Sequence, residues 1–237
     1  MRFSTLPDKP KVLNLRGRAY QHLAAAIDRV PLLGAPSPYN LTVSDDPPFV
    51  WYRVAKVGTR TIHRHLAAHA ALRLNHPYQV RLPRAGHRGH FHFAFVRNPW
   101  DRLVSCWQDK VLARDYFALG PGRPEIRRLP EFLEYVARLD LDKCDPHLRR
   151  QTALIDLDRV DFIGRFERFE DDFATVCRRL GIPETFGHHN PTDHEEYSVY
   201  YDDGTAETVG RLYEPDVRLF GYRFEPLGVV HGAGDRR

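Results

Sequence analysis

The chain has 237 residues, long enough for one full α/β domain with a large core, and its 42% hydrophobic and 28% charged content excludes a disordered or fibrous class. No apolar run approaches the ~20 residues that cross a bilayer, so no transmembrane segment is expected. Residues 1–10 lack the apolar stretch of a signal peptide, so a cytoplasmic location is expected. The net charge of +4 comes with acids interspersed throughout and no basic run, which argues against a nucleic-acid partner.

Only five of the 35 basic residues are lysine. Base composition of the gene accounts for such a bias, but arginine also grips phosphate, sulfate or carboxylate bidentately. The three cysteines, Cys106, Cys144 and Cys177, are odd in number and widely spaced, the usage of free thiols rather than a disulfide framework.

In chain order, residues 1–47 read as an N-terminal arm. It carries a short amphipathic helix over 16–30, with Tyr20, Leu23, Ala24 and Ile27 on one face, and a proline-rich linker from residue 31 to 48. Residues 48–225 read as a single α/β domain and 226–237 as a flexible tail. Phe49 to Val54 predicts a strand, Ala55 to Thr59 a tight loop, and Arg60 to Leu72 a helix. Lys56 and Gly58 in that loop predict an anion site, because glycine admits close backbone approach and a helix start presents free N–H groups. Thr59 and Thr61 add hydroxyls. The loop is not the usual nucleotide loop, since lysine here precedes glycine.

Phe91 to Val96 predicts a largely buried strand, handing directly to an amphipathic helix. Asn98 suits the N-cap, Pro99 the first helical position, and Asp101 the first turn. Trp100, Leu103, Val104, Trp107 and Val111 make one apolar face, with Arg102, Ser105 and Asp109 off it. Arg97 stands at the strand's carboxyl end, the edge where open α/β sheets bind ligands. Two cationic strand ends in one sheet imply a ligand with two separated anionic groups.

Further on, residues 115–130 read as a loop over the site, Glu131 to Leu139 as a short helix, and Leu148 to Ile155 as another. Val160 to Gly164 reads as a third strand, Asp171 to Leu180 as a helix ended by Gly181 and Pro183, and Thr205 as the cap of a last helix. Among the 13 histidines, His76 lies in the connection between the two cationic strands, where its ordinary pKa near ~6.5 suits a general base. His90 and His92 share a strand face with His87 near, but no cysteine or carboxylate lies locally, so no metal is expected.

Together these motifs resemble a known family. Residues 52–61, Tyr-Arg-Val-Ala-Lys-Val-Gly-Thr-Arg-Thr, are similar to the 5′-phosphosulfate loop of sulfotransferases that use 3′-phosphoadenosine 5′-phosphosulfate (PAPS). Residues 95–105, Phe-Val-Arg-Asn-Pro-Trp-Asp-Arg-Leu-Val-Ser, resemble their 3′-phosphate motif, as found in the carbohydrate sulfotransferase branch and its bacterial relatives. The resemblance continues through residues 160–167, 200–203 and 219–222, so it covers about residues 49–225. It implies a P-loop-like sulfotransferase fold with a mainly parallel sheet flanked by helices.

It further implies that Lys56 meets the leaving phosphate, that Val57, Gly58, Thr59, Arg60 and Thr61 cradle the 5′-phosphate, and that Arg97 and Ser105 bind the 3′-phosphate. His76 falls at the interval of the family's base, with His87 and His90 as competitors. The implied reaction is sulfuryl transfer from PAPS to a hydroxyl of a carbohydrate or glycolipid, leaving adenosine 3′,5′-bisphosphate (PAP), with no metal. Ala55 and Arg60 depart from the family's usual proline and small hydroxyl residue. The rival readings are a magnesium-dependent phosphoryl transferase and a non-catalytic nucleotide-binding module.

Overall fold

The computed structural model describes residues 39–69, 74, 87–114, 116–117, 124–184 and 196–226. Its centre is a four-stranded sheet in the order β1-β2-β3-β4: β1 (Leu41–Asp45), β2 (Pro48–Tyr52), β3 (Phe91–Val96) and β4 (Phe162–Arg165). β1 and β2 form an antiparallel hairpin across Asp46 and Pro47, whereas β2 to β3 and β3 to β4 are parallel. The expected mainly parallel α/β sheet flanked by helices is therefore present. β1 is the difference: it falls within the proline-rich stretch read as linker. Its Leu41 and Val43 are buried, and it pairs residue for residue with β2, so the hydrogen-bonding edge of β2 overrides the local turn signals.

The helices are α1 (Thr59–Ala68), α2 (Pro99–Trp107), α3 (Leu129–Ala137), α4 (Phe169–Leu180), α5 (Asp203–Leu212) and α6 (Glu214–Phe220). α2 continues as a π-helical turn, Gln108–Leu112. The stretch from Leu148 to Ile155 forms only a short 3-10 turn, Thr152–Leu154, because Gln151 and Thr152 give their backbone N–H groups to Asp216 of α6 instead of to a helix. Pro215 stands in the first turn of α6, where its missing N–H is tolerated. The helix expected at 16–30, His76, residues 115 and 118–123 of the expected 115–130 loop and the tail from residue 227 lie outside the described residues.

Both faces of the sheet are covered, which is why β3 reads as a near-continuous apolar run. Phe93 and Phe95 are fully buried; Trp51 stacks on Phe93 with ring planes 3° apart, and Phe95 packs against Phe169 and Phe173 of α4. The α2 start follows the sequence reading closely. Asn98 Oδ1 accepts the Trp100 N–H at 3.1 Å, Pro99 occupies the first turn, and Trp100 Nε1 donates to Ala206 O of α5. Cys106 and Cys177 are buried and Cys144 partly so, all three as free thiols, with burial pushing their pKa up to about 12.

Gly164 of β4 is opposite Phe95 in the β3–β4 register, and a Cβ there would lie 2.4 Å from the Phe95 ring. That ring is wedged against Phe169 and Phe173 and has no room to yield. Gly164→Ala is therefore expected to lower stability by about 1–3 kcal/mol in urea denaturation; an unchanged midpoint would show that the Phe95 layer is not close-packed.

Candidate functional site

Because β2 and β3 are adjacent and parallel, their carboxyl ends deliver residues 53–58 and Arg97 to the same edge of the sheet. Arg97 bridges the two directly: its Nη1 donates to the Lys56 carbonyl at 3.1 Å, and its guanidinium lies 4.2 Å above the Phe166 ring. The Arg97 backbone is pinned as well. Its N–H donates to Gln151 Oε1 at 2.9 Å and its carbonyl accepts Gln151 Nε2–H at 2.8 Å, so a side chain continues the ladder one step past the strand.

The loop entering α1 has an unusual backbone. Lys56 has φ 71° and Gly58 φ 77°, both left-handed, and Lys56 is not a glycine. Alternation of this kind turns successive N–H groups toward one concavity, an anion-binding nest. The N–H groups of Gly58, Thr59 and Arg60 find no backbone partner among the described residues, whereas those of Thr61 and Ile62 bond to Gly58 O. Only glycine fits at residue 58: besides the left-handed φ, a Cβ would sit 2.9 Å from Phe169. Val57 is fully buried and anchors the loop, while Arg60 is exposed. The Thr59 hydroxyl differs from expectation. It donates to Val54 O at 2.6 Å and holds the loop shut, which leaves only the Thr59 N–H for a ligand.

Lys56 Nζ contacts Asp109 Oδ2 at 3.1 Å, and Asp109 is shared with Lys110 and Arg114. Burial lowers the Lys56 pKa, with Asp109 opposing; burial also works against the Asp109 carboxylate, but its three cations outweigh that and hold its pKa below the usual value. Arg97 is paired through Nε and Nη2 with both oxygens of Asp101, each at 2.6 Å, leaving two of its five N–H groups unassigned. Ser105 lies on α2, and its hydroxyl makes no hydrogen bond with the described residues.

The largest departure from the sequence reading concerns the polar face of α2. Arg102, Ser105 and Asp109 stand off the apolar face, as the spacing predicts, yet Arg102 is only 2% exposed. Its donors meet three backbone carbonyls: Ala55 at 3.0 Å, Arg149 at 2.9 Å and Pro146 at 3.0 Å. The helix is thus buried on both sides, its apolar face in the core and its polar face against the Lys56 loop.

Arg102 also draws in the 145–149 segment, which the sequence reading did not single out. His147 Nδ1 lies 2.7 Å from Asp145 Oδ1, Tyr116 OH donates to Asp145 Oδ2 at 3.2 Å, and Lys110 Nζ stands 4.3 Å from the Tyr116 ring centre. Burial lowers the His147 pKa, against the attraction of Asp145, so the ring is neutral near pH 7. Since a carboxylate only accepts, the proton sits on Nδ1 and Nε2 keeps its lone pair. An aspartate two residues before a histidine was the one available signal.

His87 and His90 do not join this site. They precede β3, at the amino edge of the sheet, separated from Arg97 by a six-residue strand, about 20 Å long at ~3.3 Å per residue. That places both histidines, expected beside His76 as competing bases, at the edge of the sheet opposite Arg97, while His76 lies outside the described residues.

The sulfotransferase family model matches residues 39–223. Over 193 residues the chain is 26% identical to carbohydrate sulfotransferase 11 of Rattus norvegicus, covering 65% of this chain and 54% of that protein. It is 26% identical to carbohydrate sulfotransferase 14 of Danio rerio over 57% of this chain and 44% of that protein, and 25% identical to carbohydrate sulfotransferase 10 of Homo sapiens over 56% and 47%. The chain thus spans about half the length of these curated relatives. No solved structure matches it significantly.

Arg102→Met keeps much of the side chain's bulk but leaves three inward carbonyls without their donor. We expect a loss of at least about 2 kcal/mol in chemical denaturation, against less than about 0.5 kcal/mol for Arg128→Met at the surface. Equal stability of the two variants would remove Arg102 from its clamping role.

Proposed function

The chain belongs to the sulfotransferase family, and from that premise we propose that it moves a sulfuryl group from PAPS to a hydroxyl of a carbohydrate or glycolipid acceptor. The observation that carries the reading is the pairing at one sheet edge of a nest, whose N–H groups have no backbone partner among the described residues, with an arginine, the two tied together by the Arg97 to Lys56 carbonyl bond. Such a pair suits a ligand with two separated anionic groups, as a 3′,5′-substituted nucleotide has. The names of the carbohydrate sulfotransferases it resembles support the acceptor class.

PAPS, when bound, supplies the sulfuryl group and departs as PAP. The N–H groups of Gly58, Thr59 and Arg60, with the Val57 and Thr61 backbone framing them, would hold the 5′-phosphate. Lys56 would stabilise charge developing on the leaving oxygen, which needs no reorganisation because Asp109 already fixes the ammonium. Arg97, through its two unassigned N–H groups, and the Ser105 hydroxyl would hold the 3′-phosphate.

A histidine would take the acceptor proton. His76 holds that place by resemblance. The neutral, Asp145-oriented His147 is a second reading, favoured by an Nε2 without a hydrogen-bond partner among the described residues and by the Arg102 clamp that joins its segment to the Lys56 loop.

Calorimetric titration should give binding of PAP with a dissociation constant on the order of micromolar, much weaker binding of AMP, and loss of that preference in Arg97→Ala. Preference for magnesium-ATP would favour the phosphoryl-transfer rival instead. Lys56→Ala is expected to lower turnover by about 10²–10³-fold. His76→Ala and His147→Ala separate the two bases: the true one should lose about 10²–10⁴-fold and its limb of the pH profile, the other little. If neither variant changes the profile, the base is not one of these histidines.

A further inference from the structure

The amino edge of the sheet carries a second cluster that the proposed reaction does not use. Asp45 ends β1, and His87 and His90 stand in the turn that leads into β3. The sequence offers no carboxylate near those histidines; the β1–β2 hairpin supplies one from 42 positions earlier in the chain than His87. His87 Nδ1 lies 3.4 Å from His90 Nε2, and His90 Nε2 lies 3.2 Å from Asp45 Oδ1. The three candidate donor atoms all fall within 4.8 Å of one another.

From this geometry we infer that Asp45, His87 and His90 form a binding site for a divalent transition-metal ion, with zinc the best match. Zinc takes histidine nitrogen and carboxylate oxygen at about 2.0–2.2 Å in a tetrahedron, whose edges are then about 3.3–3.5 Å. The 3.4 and 3.2 Å separations lie close to such edges. One proton cannot account for the cluster equally well. His90 Nε2 faces both a ring nitrogen and a carboxylate, and a single N–H satisfies one of them, whereas a cation satisfies all three donors. Imidazole and carboxylate together also favour zinc over magnesium or calcium. The Asp45 side chain is 90% exposed, so the fourth position opens to water.

The backbone around the site is arranged to hold the rings. His87 has φ 57°, a left-handed conformation that non-glycine residues seldom adopt, and Gly89 follows at φ 84°. The His87 carbonyl accepts two bonds, from the His90 N–H at 3.2 Å and from His92 Nε2 at 3.1 Å. His92 is fixed in that tautomer by Tyr52, whose hydroxyl donates to Nδ1 at 3.0 Å. Outer-shell bonds of this kind orient ligands and are part of what a metal site needs. The ion would pin the turn at 87–90 to the end of β1, closing the sheet edge farthest from Arg97. It would be a structural clamp rather than a participant in transfer.

The test uses the full chain, stripped with chelator and titrated with zinc chloride against a chromophoric competitor, and with cobalt chloride followed by visible absorption. One tight equivalent, tetrahedral cobalt bands, and a zinc-dependent rise in melting temperature are expected. His87→Ala/His90→Ala should abolish all three, and Asp45→Asn should weaken binding by about 10–100-fold. PAP affinity, measured in parallel, reports whether the variants remain folded; it does not depend on the metal, so the two proposals stand or fall separately. No stoichiometric equivalent in the wild-type chain would overturn the inference. So would an equivalent that survives the double substitution, since the metal would then sit on other histidines.

Discussion

The buried guanidinium of Arg102 is the constraint on which the carboxyl edge of the sheet depends. It leaves water almost completely and recovers its hydrogen bonds from three carbonyls on two separate segments, at Ala55 and at Pro146 and Arg149. A charge so buried is tolerated only when its donors are matched. The match fixes the Lys56 loop, α2 and the 145–149 segment relative to one another at a single point. Gln151 then carries the constraint to Arg97, and Asp216 carries it on to α6. One continuous polar network thus runs from the loop beneath the nest to the last helix, enclosed by aromatic layers on either side.

Within that frame the electrostatics are preset. Arg97 is held by Asp101 and Lys56 by Asp109, and both acids come from α2 and its π-helical extension. Neither cation waits unpaired, which would cost several kilocalories in a part-buried setting. Three cations nevertheless share Asp109, so the surroundings of Lys56 keep an excess of positive charge for an anionic ligand to meet. The N–H groups of the α1 start, without backbone partners among the described residues, add to it.

The sheet also sorts functions by its polarity. Parallel pairing of β2, β3 and β4 puts every strand's carboxyl end on one edge, where the nest and Arg97 lie. The antiparallel β1 returns the chain to the opposite edge, where Asp45 meets His87 and His90. Histidines near in sequence to the central strand are therefore far from its carboxyl end. Linear distance from a motif carries no information about which edge of a sheet a residue occupies, and that is why His87 and His90 stood as competitors of His76 in the sequence.

The sequence by itself determined the elements whose signals are local. The β3–α2 junction, with Asn98 capping, Pro99 starting the helix and Asp101 in its first turn, is encoded within ten residues, and so are the glycine of the anion loop and the stop at Gly181. Alternating phenylalanines marked the central strand because burial on both faces selects for them. Tertiary structure alone decided β1, whose strand exists only because the edge of β2 needs a partner. It also decided the burial of Arg102, the loss of the Thr59 hydroxyl to Val54, the recruitment of Asp145 and His147, and the meeting of Asp45 with His87. All of these depend on partners 3 to 47 positions apart, brought together by backbone hydrogen bonding and by the need of buried polar groups for a match. Periodicity shows which side of a helix is apolar; it cannot show whether the other side faces water or a second set of backbone carbonyls.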